Sequence, residues 1–209
     1  MRLLAVVLGV GLSLSGASVA NAQGPYGDPY GDPYVSPGGG MTGNVVLFVG
    51  AKAMDEAEWA PAHEHGEVGL GMDLQPMGWP VGVDVRLLSS GSDLVYEPTL
   101  GAWVELNTTE LDFGVRKTWG EGGLTNVRPY VAGGIAMIDA ELFIDGNGAS
   151  GSGTGIWLAG GVYWILSGAS GPGVTLGLEL MSSAADADFP FGTFSAGGGH
   201  FNFTVGYHF

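Results

Sequence analysis

His63-Glu64-His65, with Asp55, Glu56 and Glu58 a few residues earlier, is the densest group of metal-ligating side chains in the sequence. Two imidazoles separated by one residue share a zinc or similar ion only if the backbone bends between them and a third ligand joins. His63, His65 and Glu58 are therefore the candidate ligands. Short polar tracts of this kind are more often solvated loop, and the expectation is no resident metal and no cofactor. A second kind of chemistry would need a nucleophile and a base. Ser182 and Ser183 precede His200 at a spacing that lets a Ser/His pair form near one rim of a sheet. Nucleophilic catalysis is a matter of geometry, and no sequence signature marks this pair, so the expectation is not an enzyme. Gly66-x-x-Gly69-x-Gly71 is no phosphate loop, because no helix follows it.

The charged residues of the strand-like segments carry more information. Lys52, Glu67, Asp73, Asp84, Arg86, Glu110, Asp112, Arg116 and Glu179 each stand opposite a run of apolar residues with a period of two. Val68, Leu70, Met72 and Leu74 oppose Glu67 and Asp73; Val81, Val83, Val85 and Leu87 oppose Asp84 and Arg86. Leu111, Phe113 and Val115 oppose Glu110, Asp112 and Arg116, and Val174, Leu176 and Leu178 oppose Glu179. A sheet that is apolar on one face and charged on the other suits a closed barrel with lipid outside and a polar filling within. Eight strands leave an interior just wide enough for side chains. Arginines in so narrow a space need carboxylate partners, since an unpaired buried charge is costly.

The elements that position these residues follow from the rest of the chain. Residues 1–22 read as a signal peptide: Arg2, an apolar core from Leu3 to Leu14, and Ala20-Asn21-Ala22 before Gln23. Residues 23–43 repeat Pro-Tyr-Gly-Asp and read as a disordered periplasmic tail. Residues 44–209 then form one domain. Five basic residues after position 22 face 21 acidic ones, for a net charge of −16. Such a polyanion excludes nucleic acid as a partner. There is no cysteine, and the apolar stretches after the leader are too short for a helical span.

Long connections at 54–65, 90–106, 142–153 and 184–195 alternate with short ones at 75–78, 120–126 and 167–172. That alternation gives an all-β, eight-stranded, antiparallel up-and-down transmembrane barrel, with 99–106 treated as an extension of the second long loop. The lipid faces of 127–141 and 155–166 stay open, because both faces are apolar or glycine. The last strand alternates Phe201, Phe203, Val205, Tyr207 and Phe209 with Asn202, Thr204, Gly206 and His208. Its pattern looks like the closing strand that the barrel-assembly machinery reads in bacterial outer-membrane barrels.

Trp79-Pro80-Val81, Glu110 to Lys117, Val127 to Gly134, Gly197 to His200 and Gly206 to Phe209 together resemble the small eight-stranded outer-membrane β-barrel proteins, broadly similar to OmpA and OmpX barrels. The resemblance implies the bacterial outer membrane, contact with its lipid and lipopolysaccharide, and a monomer. Divalent cations held loosely by the loop acids would bridge to lipopolysaccharide phosphates. The function expected is a structural or surface-interaction role around a polar, plugged interior. A small pore or passive carrier is the alternative, and a lipid A-modifying enzyme ranks third.

Overall fold

Alternating apolar and polar side chains can satisfy two environments only if each strand keeps a single orientation along its length, and the wall of this protein is built that way. In the computed structural model, residues 40–120, 126–166 and 171–209 are described. The expected leader, and the expected tail up to residue 39, lie outside them. In chain order come β1 (Met41–Ala53), α1 (Glu56–Trp59), β2 (Glu64–Pro76), β3 (Gly82–Gly91) and β4 (Val95–Glu97). Then follow β5 (Ala102–Thr118), β6 (Val127–Ile144), β7 (Asn147–Ile165), β8 (Gly173–Phe189), β9 (Gly192–Ser195) and β10 (Gly198–His208).

Eight of these strands form the wall, in the order β10-β1-β2-β3-β5-β6-β7-β8, and β10 returns to pair with β8. The sheet is thus closed and up-and-down. β10 is the seam: Tyr207 lies opposite Val45 of β1 and Val174 of β8, and Phe201 opposite Ala51 and Leu180. The backbone of Phe209 completes the seam through two hydrogen bonds with Gly43, at 3.0 and 3.1 Å. β1 begins at Met41, so the first three residues of the wall fall within the stretch expected to be tail.

The outward face is an apolar belt. Val83, Phe113 and Leu176, expected to face lipid, point outward and are exposed. The two strands whose faces were ambiguous are resolved by burial. β6 turns Val131, Ile135 and Met137 outward and Arg128, Tyr130, Ala136 and Ile138 inward. β7 turns Ile156, Leu158 and Trp164 outward and Trp157, Ala159 and Tyr163 inward. Trp79, Trp119, Trp164 and Tyr207 are exposed near the end where β10 finishes, as expected of an aromatic girdle at a membrane boundary.

The wall is uneven in height. β3 and β10 have 10 and 11 residues and β1 and β2 have 13, whereas β5 to β8 have 17 to 19. About 9–11 residues suffice to cross a bilayer, so β5 to β8 rise well beyond it at the loop end. β4 extends this raised half-wall beside β5, and β9 extends it beside β8.

Three expected loops are therefore largely strand. The stretch 142–153 is a hairpin whose turn is Asp145-Gly146, both at positive φ (48° and 81°), the twist that joins antiparallel strands with two residues. The stretch 184–195 is the top of β8 and all of β9. Residues 102–106, assigned to a loop extension, are the upper part of β5, paired with β4 on one side and β6 on the other. The strand count stays at eight because they continue a wall strand instead of adding one.

Candidate functional site

Inward-facing side chains from all parts of the wall meet in the lumen. The nine charged residues expected there, Lys52, Glu67, Asp73, Asp84, Arg86, Glu110, Asp112, Arg116 and Glu179, are all buried at inward positions. Eight of them sort into two clusters.

The first is centred on two arginines. Arg116 Nη1 donates to Asp73 Oδ1 at 2.8 Å and Arg116 Nε to Asp84 Oδ2 at 2.6 Å. Arg86 Nε donates to Asp84 Oδ1 at 2.9 Å and Nη1 to Glu179 Oε1 at 2.8 Å. Tyr130 closes the series by donating to Glu179 Oε2 at 2.7 Å, and Asn44 Nδ2 donates to both oxygens of Asp73 at 3.0 Å. Aromatic faces cover what the carboxylates leave. Arg86 lies 4.3 Å from the Trp157 ring centroid and 5.5 Å from that of Phe48, and Arg116 lies 4.2 Å from that of Tyr130.

The second cluster sits nearer the loop end. Lys52 Nζ donates to Glu110 Oε2 at 3.2 Å and to Thr108 Oγ1 at 3.3 Å. Ser183 Oγ donates to Glu110 Oε2 at 3.3 Å, and Asn202 Nδ2 to Glu67 Oε1 at 2.8 Å. Asp112 belongs to neither set: it is fully buried and neither oxygen meets a hydrogen-bond partner within the protein. The register sets Arg86 directly across from Asp112, but the guanidinium turns to Asp84 and Glu179 instead. Asp84 also reaches Arg116, and Asp112 is the member left out.

Ser183, and not its outward-facing neighbour Ser182, reaches His200. His200 Nε2 lies 3.2 Å from Ser183 Oγ and Nδ1 lies 2.7 Å from Glu67 Oε2. The arrangement resembles a nucleophile, base and orienting acid. Its surroundings do not: all three residues are buried, and Ser183 already donates to a second carboxylate, Glu110. These groups are part of the hydrogen-bonded lining of the lumen. The three metal-ligand candidates are dispersed as well. His65 is turned inward, with Nδ1 3.1 Å from Ser90 Oγ and Nε2 3.0 Å from the Ala62 carbonyl. Glu58 Oε2 accepts the Ser195 N–H at 2.7 Å. No group of three or more such ligands converges among the described residues.

Above the polar clusters the lumen turns apolar. Trp59 of α1 packs on Phe189 and Phe194 with centroids 6.0 and 5.5 Å away, and its indole N–H donates to the Ser195 carbonyl. Met54, Ala62, Leu106, Ile138, Ala140 and Ala187 fill the space around them. α1 and the β9 turn are thus joined across the mouth of the barrel. Asp55 caps α1 by accepting the Ala57 N–H at 2.8 Å.

Outside, the loop end is uniformly acidic. Lys52, Arg86, Arg116 and Arg128 are buried in the barrel, and Lys117 lies near the opposite end. Glu97 on β4 accepts the backbone N–H of Thr99 at 2.9 Å, which holds its carboxyl below the usual carboxylate range.

Sequence reasoning missed Tyr130, Trp157 and the Trp59 cap, and it named Ser183, His200 and Asn202 without placing them in the lumen network. Tyr130 and Trp157 sit on the two strands with no polar face to give a direction. Trp59 lay in a segment read as solvated loop.

Solved structures similar to this one are small outer-membrane barrels. The attachment invasion locus protein Ail of Yersinia pestis matches with a TM-score of 0.54 at 13% identity, over 82% of this chain and 99% of that one. Ail in complex with the heparin analogue sucrose octasulfate matches at 0.51, with the same identity and coverage. Neisserial surface protein A matches at 0.50 and 7% identity, over 80% of this chain and 95% of that one. No family model matches the sequence, and no curated protein does. The chain has the fold of the small eight-stranded outer-membrane β-barrels.

Proposed function

We propose that this chain is a non-enzymatic protein of the bacterial outer membrane, with a plugged lumen and a working surface in its raised half-wall. The observation that carries this reading is the Arg86–Glu179 contact of 2.8 Å. β3 and β8 stand four places apart in a ring of eight, so the pair crosses the full width of the barrel. Lys52 of β1 and Glu110 of β5 cross three places at 3.2 Å. With the Trp59 cap above, these crossings support a lumen closed to axial passage, with interaction at the exterior.

Lipid contact follows from the apolar belt, and assembly by the barrel machinery from the pattern of Phe201, Phe203, Val205, Tyr207 and Phe209. The reading is of a monomer, with calcium or magnesium bridging loop acids to lipopolysaccharide phosphates. A sulfated polyanion of the kind represented in the Ail complex does not suit this chain, because its loop end presents no lysine or arginine. One observation favours a small pore instead: the Asp112 carboxyl group meets no hydrogen-bond partner inside the barrel, a position where a passing cation could be held.

A deletion strain assayed together for adhesion, permeability and lipid A structure tests the proposal. Altered surface adhesion or envelope integrity with unchanged lipid A supports it. Changed lipid A acylation would revive the enzyme, and lost solute uptake the pore.

A further inference from the structure

The half-wall carries an apolar patch where lipid cannot explain it. Tyr96 of β4 and Trp103 of β5 are paired across the ladder, with rings edge to face at 5.5 Å. Both are about half exposed, at 48% and 50%, and Leu94 and Leu100 beside them are 58% and 62% exposed. Aromatic residues near a barrel rim ordinarily mark the membrane boundary. Here Glu105, Asn107 and Thr109 occupy the outward positions of β5 between Trp103 and the first belt residue, Leu111. That separation is eight residues, about 26 Å along a strand. On β6 the same levels are taken by Asp139 and Glu141. A bilayer that reached Trp103 would swallow these carboxylates.

The patch is ringed by negative charge. Asp93 and Glu97 adjoin Leu94 and Tyr96 in the chain, and Glu105 is the next outward residue after Trp103. Asp145 accepts the Trp103 N–H at 2.9 Å and returns its own N–H to the Trp103 carbonyl. No lysine or arginine is exposed at this end of the described protein to offset them, as the four lumen cations are buried and Lys117 is remote. Exposed aromatics and leucines with an acidic border meet the requirements of a protein-binding hot spot whose partner brings both apolar area and positive charge.

We infer that Leu94, Tyr96, Leu100 and Trp103 form a docking face for a basic polypeptide segment in which lysines or arginines alternate with aliphatic or aromatic residues. The inference rests on the reading above that this end of the barrel works by surface interaction, and it specifies the partner's chemistry. The rings supply the anchor area, and the surrounding carboxylates speed encounter and reject polyanions.

The test uses the folded full barrel in nanodiscs of zwitterionic lipid, with folding checked by heat-modifiable migration. The probe is a short synthetic peptide alternating lysine and leucine, compared with lysine–serine and glutamate–leucine peptides, with heparin, and with empty discs as baseline. The wild type is expected to bind only the lysine–leucine peptide above baseline. Tyr96→Ser with Trp103→Ser should weaken it by about tenfold or more. Leu94→Ser with Leu100→Ser, both outside the ladder, should weaken it too and serves if the first pair disturbs the hairpin. Asp186→Asn with Asp188→Asn, on the far flank, should change it by less than about twofold. Equal binding of the lysine–serine peptide, equal losses from the far-flank variant, or binding of heparin would overturn the inference. A barrel that is not heat-modifiable would count against the membrane reading itself, which separates the two failures.

Discussion

Arg86 Nη1 and Glu179 Oε1 meet at 2.8 Å although their strands lie on opposite sides of the barrel. Gly71 leaves room for the Phe48 ring and Gly114 for that of Trp157, and these two rings hold the guanidinium on two sides. Asp84 takes the remaining donors of Arg86 and passes the link to Arg116. Each arginine is therefore fixed by two carboxylates: removing Arg86 takes the only cation from Glu179 among these contacts, removing Arg116 takes it from Asp73, and Asp84 keeps one arginine in either case.

Arg86→Ala should consequently destabilise the barrel by about 3–5 kcal/mol, because it strands desolvated carboxylates. Replacing Arg86 by Met and Glu179 by Gln together should recover part of that loss. Urea unfolding in lipid vesicles, followed by tryptophan fluorescence, measures both. An unchanged midpoint for Arg86→Ala would mean that the pair is hydrated and carries little.

The wall was legible in the sequence because burial and alternation coincide. Every outward residue from Val83 to Leu87 or from Leu111 to Val115 has a polar or small partner facing in. The signal failed where it had no contrast, as on β6 and β7, where alanines and glycines line the inside opposite valines and isoleucines. It also failed above the membrane, where Leu106, Ile138 and Ala187 face an apolar cap and the polar–apolar sense of the alternation reverses. Acidic outward residues there imitate a loop. Asp145-Gly146 is a hairpin signal inside that stretch. The charged members of the lumen were readable one by one, but their partners were not, since the register alone would have married Arg86 to Asp112.

Arginine at Val83, Phe113 or Leu176 should cost about 2–4 kcal/mol near the bilayer midplane. Trp103→Arg, above the belt, should cost far less. Equilibrium unfolding in vesicles of one thickness compares the four. Similar losses at Trp103 and Phe113 would misplace the membrane boundary.

Trp59→Ala removes the ring that joins α1 to Phe189 and Phe194, together with its hydrogen bond to the Ser195 carbonyl. A buried tryptophan truncated to alanine typically costs about 3–5 kcal/mol, and here the loss should fall on the cap. Hydrogen exchange is expected to rise in 54–63 and 190–197 while β1 and β10 stay protected. Uniform loss of protection around the whole wall would show that the cap and barrel fold as one unit.

Deleting Phe209 removes both backbone bonds to Gly43 and the end of the outward aromatic row on β10. Less heat-modifiable barrel should accumulate, and Tyr207→Asp should act in the same direction. Removal of residues 23–38 should leave the yield unchanged. Equal folded yield from all three variants would separate β10 from assembly.

The crossing of the lumen by Arg86–Glu179 and Lys52–Glu110 is most directly examined by electrical recording of the purified wild-type barrel in a planar bilayer. The account expects no sustained conductance, with a small leak appearing only when Arg86→Ala is combined with Arg116→Ala. A steady, cation-selective current through the wild-type protein would contradict it and make the lumen, with Asp112 in its path, a pore.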